Sequence, residues 1–207
     1  MNNGDMPMNF IAHLYFADDA PDSFLGSLLG DFVKGNAYRG FNARIAAGIK
    51  LHRKIDKYTD AHPIFKLSKS RFSQKRRRFA GVLTDIFYDH FLARNWNRFS
   101  ETPFSWQTDH WYQGVRSACC AGIPEEFKSL LDRIIRNDLL GSYRTVKGIG
   151  LAVDRLALRI HFENSLHGGG EELVRGYRFF EEDFYRFFPR LIEYVEKIKA
   201  PKETGSP

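Results

Sequence analysis

The sequence predicts an all-α fold, a single-domain helical bundle, and three observations carry the prediction. No strand-like alternation of apolar and polar residues persists anywhere in the chain, and no internal repeat is present. Apolar residues instead recur every three to four positions, in segments separated by Gly, Pro and polar breakers. The 207 residues are 43% apolar and 15% aromatic, with 19 Phe, which suits one domain with a real core and excludes a disordered chain.

In chain order the pattern predicts helices near 8–17, 23–34, 42–60, 63–78, 79–98, 104–119, 124–138, 146–161 and 171–198. Pro63 and Pro124 suit first-turn positions, and Gly35 suits a helix end. Gly168-Gly169-Gly170 reads as a joint before the last helix and not as a domain boundary, so one domain over 8–199 is expected. Residues 1–7 and the Pro/Gly/Ser-rich end from Ala200 to Pro207 are expected to be disordered tails. No apolar run approaches the ~18 residues of a membrane span, and no basic-then-apolar leader is present. A cytoplasmic location is expected. The only cysteines, Cys119 and Cys120, are adjacent, fit neither a disulfide nor a zinc motif, and read as buried small apolar residues.

Net charge is +6, but the segment from Ile64 to Arg78 holds seven basic residues and no acid, leaving the rest of the chain at −1. Lys66, Lys69, Arg71, Lys75, Arg76, Arg77 and Arg78 together form a surface expected to attract a polyanion or an acidic protein.

Polar residues on apolar faces point to chemistry. In the 42–60 segment, Ile45, Ile49, His52, Asp56 and Thr59 share one stripe, so His52 and Asp56 face inward, one turn apart. The 79–98 segment is apolar on nearly every side, yet carries Asp85 and Asp89 one turn apart, with His90 following. Two like-charged carboxylates in a buried helix repel unless protonated or joined by a cation. His13 and Asp31 are likewise flanked by apolar residues. This set of Asp and His predicts a divalent metal site, and oxygen plus imidazole donors suit Mn²⁺, Mg²⁺ or Fe. Asp60, shortly before Pro63, reads first as a helix cap. The buried pair runs Asp89-His90, the reverse of the His-Asp string, so the site rests on helix faces and not on a motif match.

These residues resemble a family. The blocks Asn9-Phe10-Ile11-Ala12-His13-Leu14, Leu28 to Asn36, Gly48 to Asp56 with Thr59-Asp60, and Asp85 to Leu92 with Trp96 are similar to the acyl carrier protein phosphodiesterases. The match is close from Met8 to Trp96 and thins to aromatic pieces such as Phe184 to Arg190. The resemblance implies a helical fold distantly like the His-Asp metal-dependent phosphohydrolases. It implies removal of 4′-phosphopantetheine from holo acyl carrier protein, within fatty acid biosynthesis, with Mn²⁺ as the favoured metal. By motif position, His13, Asp31, His52, Asp56, Asp85 and Asp89 are the expected metal residues, and His90 joins them as a site candidate.

On this reading, water activated by the metal attacks phosphorus in line and expels the carrier's serine oxygen. Asp60 or His90 is expected to protonate that oxygen, and Arg53 and Lys57 to reach the phosphate. Asp89→Ala is expected to abolish turnover with helix content intact. Acyl carrier proteins are acidic, so the 64–78 segment is expected to steer docking, less effectively as salt rises. Two other readings use the same features. One is a nucleotide or other small phosphoester hydrolase of the His-Asp type. The other is a non-enzymatic nucleic-acid-binding module, which lacks interleaved aromatics and leaves the inward carboxylates without a role.

Overall fold

A computed structural model describes residues 9–119, 122–160 and 162–200, and these form α-helices and short 3₁₀ turns joined by loops, without strands. The helices are α1 Phe10–Tyr15, α2 Pro21–Leu29, α3 Ala43–Ala61, α4 Pro63–Ser70, α5 Ala80–Arg94, α6 Phe104–Ala118, α7 Glu125–Arg136, α8 Leu139–Ser142, α9 Val146–Arg159 and α10 Gly170–Lys199. The expected tails, 1–7 and most of 200–207, lie outside the described residues.

Helix α5 is the axis. It is buried on most sides, as apolar residues on nearly every face require, and packs against α1, α4, α9 and α10. Helix α2 lies between α3 and α6. Its approach to α3 is set by two glycines: a Cβ on Gly48 would stand 2.9 Å from Gly26 Cα, so any side chain there forces the helices apart. Among the described residues, no helix is long and apolar enough to cross a membrane.

Several boundaries differ from the sequence pattern, each for a tertiary reason. The expected 63–78 helix breaks after Ser70. There Arg71 turns to Asp183 of α10, Phe72 packs among Phe87 and Phe180, and Ser73 bonds Glu172 before a 3₁₀ turn over Gln74–Phe79. The 79–98 helix ends at Arg94, followed by a separate 3₁₀ turn over Trp96–Arg98. Helix α2 stops at Leu29, five residues early, and Gly35 sits with φ +53° in the following loop instead of at a helix end. His62, not Asp60, caps α4: its ring accepts from Ile64 N at 3.3 Å, with Pro63 next in the first turn. Cys119 is exposed just past α6, and Cys120 lies outside the described residues.

The Arg71 contact belongs to a buried network joining α4, α5 and α10. Asp183, 1% exposed, accepts from Arg71 Nε at 2.6 Å and Nη2 at 3.1 Å, and from Ser68 Oγ at 2.8 Å. Tyr88 of α5 completes it, 2.7 Å from Ser68 Oγ. Removing the carboxylate leaves the partly buried Arg71 guanidinium without its partner and Ser68 Oγ with Tyr88 alone. Asp183→Ala is therefore expected to lower the unfolding free energy by about 3 kcal/mol, read from urea denaturation. An unchanged midpoint would contradict it.

Candidate metal centre

The centre is assembled by α1, the end of α2, and α3. Helix α1 is only six residues long and cannot hold itself. Asp89 of α5 anchors it: Ile11 N donates to Oδ2 and Ala12 N to Oδ1, both at 2.9 Å. Burial pushes the Asp89 carboxyl up to about 8, against those two hydrogen bonds. Each Asp89 oxygen, expected to face a metal, accepts a backbone N–H of α1, so its structural effect is to fix the position of His13, one residue further on.

On α3, His52 and Asp56 stand one turn apart as the stripe predicts. His52 Nδ1 lies 2.7 Å from Ser27 O. A carbonyl only accepts, so Nδ1 carries hydrogen and donates, leaving Nε2 as the lone-pair nitrogen of the neutral ring. That Nε2 is 3.0 Å from Asp56 Oδ2 and 3.3 Å from Asp31 Oδ1. His13 Nε2 reaches the other oxygen of Asp56, at 3.1 Å. The two imidazoles stack with centroids 3.7 Å apart. Both rings are 2% exposed, whereas Asp56 is 37% exposed, so the nitrogens line the floor of a site and Asp56 its open side.

The electrostatics follow from this geometry. Burial and the neighbouring His52 push His13 down, with Asp56 and Asp31 opposing. Burial also works to lower His52, but the Asp31 and Asp56 carboxylates overcome it and raise His52 to about 10. Burial would raise Asp56, yet His13 and His52 hold it below the usual carboxylate range. Asp85 is pushed well above that range by burial and by the charges of Asp56, Asp60, Asp89 and Asp31. With Asp89, Thr59 and Tyr88 it borders a cavity of about 20 Å³.

The residues fit a divalent ion. The Nε2 atoms of His13 and His52 are buried and lack any aligned hydrogen-bond partner, although carboxylate oxygens lie within 3.3 Å. One ligand atom each from His13, His52 and Asp56 falls within 4.8 Å of the others, and Asp31 adds a further oxygen beside His52. Two imidazole nitrogens and carboxylate oxygens converging on one point are a donor set that a divalent ion can take.

Other expected residues lie elsewhere. His90 is bonded through both nitrogens, Nδ1 at 2.7 Å from Tyr143 O and Nε2 at 3.0 Å from the Tyr177 hydroxyl, apart from the His13 group. Arg53 donates to Gly35 O at 2.7 Å and to Val33 O, which pins the loop after α2. Asp60 and Lys57 are exposed on α3 beyond the centre. In the basic segment Arg71 is paired with Asp183, and Arg76, 6% exposed, is buried. Lys69 is half-buried, with its ammonium over the Phe65 ring, and Lys75, Arg77 and Arg78 stay exposed.

Two contributors escape the sequence reading. Ser27 acts through its carbonyl, which no side-chain pattern reveals. Gly30 lies under His52: a Cβ there would come within 2.6 Å of Nδ1 and overlap the ring carbons. Its position directly before Asp31 is the only trace of this in the sequence.

A family model described as acyl carrier protein phosphodiesterase matches residues 8–191. A protein of Photorhabdus laumondii named acyl carrier protein phosphodiesterase is 33% identical over 189 residues, covering 91% of this chain and 96% of its own. Proteins of the same name from Pectobacterium atrosepticum and Escherichia coli are 33% and 32% identical, covering 91% and 92% of this chain and 98% of each relative. No solved structure gives a significant match.

Proposed function

The chain belongs to the acyl carrier protein phosphodiesterase family, and from that premise we propose that it removes the 4′-phosphopantetheine arm from holo acyl carrier protein, using a divalent metal held by His13, His52 and Asp56 with Asp31 beside them. Membership makes it an enzyme, a hydrolase acting on a phosphodiester. The observation that carries the metal is the pair of buried Nε2 atoms, without aligned partners, meeting one exposed carboxylate. The absence of thiolates among the donors favours Mn²⁺ over softer choices.

When bound, such an ion supplies charge to the non-bridging phosphate oxygens and makes water more acidic. The chain's own residues do the rest. Ser27 O holds His52 in the tautomer that presents Nε2, and Asp89 holds α1 so that His13 faces it. Asp56, on the open side, places the reaction where a protein-borne phosphodiester can reach it. Of the two expected proton donors, His90 is bonded through both nitrogens, to Tyr143 O and the Tyr177 hydroxyl, and Asp60 stands exposed one turn beyond Asp56 on α3.

Intact-mass spectrometry of holo carrier protein tests the function. Incubation with the enzyme and Mn²⁺ is expected to remove the arm, and chelator to prevent it. An unchanged carrier mass with Mn²⁺-loaded enzyme would contradict the proposal.

Metal affinity is expected to depend on pH. Without an ion, His52 is raised to about 10 and holds a proton at neutral pH, whereas His13 is lowered and holds none. The ion must displace the His52 proton, so apparent affinity is expected to rise about tenfold per pH unit between about pH 7 and 9. Calorimetry in buffers of different ionisation enthalpy is expected to read one proton released, and a flat profile would contradict this. In the ion-free protein the raised His52 stabilises the fold below pH 6.5, and this contribution is lost as pH rises through about 10.

A further inference from the structure

We infer that the face built by the 34–42 loop, the start of α3 and the outward side of α3 is where the acidic carrier protein docks. This rests on the preceding reading and adds to it the surface that delivers the substrate. Between Phe32 and Lys57 the chain carries seven basic residues against a single acid, Asp56, which belongs to the centre itself. Lys34, Arg39 and Arg44 on the loop side, and Lys50, Lys54 and Lys57 along one stripe of α3, are all exposed.

The loop is fastened to the helix beside the centre. Arg53, adjacent to His52, bonds Gly35 O and Val33 O. The Tyr38 ring lies under both Lys50 Nζ, at 4.8 Å, and the Arg53 guanidinium, at 5.5 Å. The loop also starts from Asp31, itself 3.3 Å from His52 Nε2. Positive charge is thus held in a defined arrangement on a face fastened to α3 at the residue next to His52, where it can steer an anionic partner toward the centre. The 64–78 segment offers less than its seven basic residues suggest, with Lys66, Lys75, Arg77 and Arg78 exposed. Arg71 is bonded to Asp183, and Arg76 is buried.

The experiment compares two triple variants of the full chain on holo carrier protein. In Lys34→Glu/Arg39→Glu/Arg44→Glu, KM is expected to rise about tenfold or more, with kcat within about twofold and far-ultraviolet circular dichroism unchanged. In Lys66→Glu/Lys75→Glu/Arg78→Glu, KM is expected to rise less. The Gln versions of the first triple guard against misfolding and are expected to show a smaller rise of the same sign. A normal KM in the first triple, or a rise at least as large in the second, overturns the docking face while leaving the enzyme's function standing. A wild-type enzyme that leaves the carrier mass unchanged overturns the function and the face together.

Discussion

Replacing Asp56 with Asn is expected to lower kcat/KM on holo carrier protein by at least about a hundredfold, since even a residue one shell away from a metal typically costs 10–100-fold. Asp56 is where the two halves of the centre meet. One oxygen is 3.1 Å from His13 Nε2 and the other 3.0 Å from His52 Nε2. Asn keeps the size but replaces an anionic oxygen with an NH₂ group, which offers no lone pair to an ion and removes a full charge from the site. The residue is 37% exposed on α3, so the variant is expected to lose part of the stabilisation it gives to His52 while helix content stays. Mn²⁺ titration should show weakened binding in the same variant. Wild-type kcat/KM would remove Asp56 from the centre.

Gly30→Ala is expected to have a comparable effect without touching any ligand. The new Cβ would overlap the His52 ring, with Nδ1 only 2.6 Å away, so either the ring rotates off Ser27 O or α2 backs away from α3. Either shift misplaces Nε2, and a displacement of about 1 Å at a reacting centre can cost on the order of 10²-fold. The overpacking is expected to cost about 1–3 kcal/mol of stability, leaving a folded protein. Gly81→Ala is the control. A Cβ there meets nothing within 4 Å, and the substitution in α5 should stabilise by about 0.5–1 kcal/mol with activity unchanged. Full activity in Gly30→Ala would show that His52 needs no such exact seat.

What the sequence made legible is what periodicity encodes. Helix spacing puts His52 and Asp56 on one inward stripe, and their one-turn separation survives in three dimensions. The apolar surround of α5 predicts its central place. Spacing within one helix carries no information on which residue of another helix completes a site. The pairing of His13 with Asp56 depends on how α1 lies across α3, which is set by the Asp89 hydrogen bonds. Asp89, a candidate ligand in sequence, accepts backbone N–H groups of α1 with both its oxygens in the fold. The charges illustrate the same limit. Arg71 and Arg76 count toward a basic run, yet one pairs with a helix more than a hundred residues away and the other is buried. The surface around Lys34, Arg39 and Arg44 is interrupted in sequence and gathers only when the loop is fastened to α3.

The central claim is that His13, His52 and Asp56 hold one divalent ion. Crystals grown with Mn²⁺, measured at the manganese absorption edge, test it most directly. The account predicts an anomalous peak between the Nε2 atoms of His13 and His52 and the carboxylate of Asp56. A peak elsewhere, with none among these three in a catalytically active preparation, would contradict it.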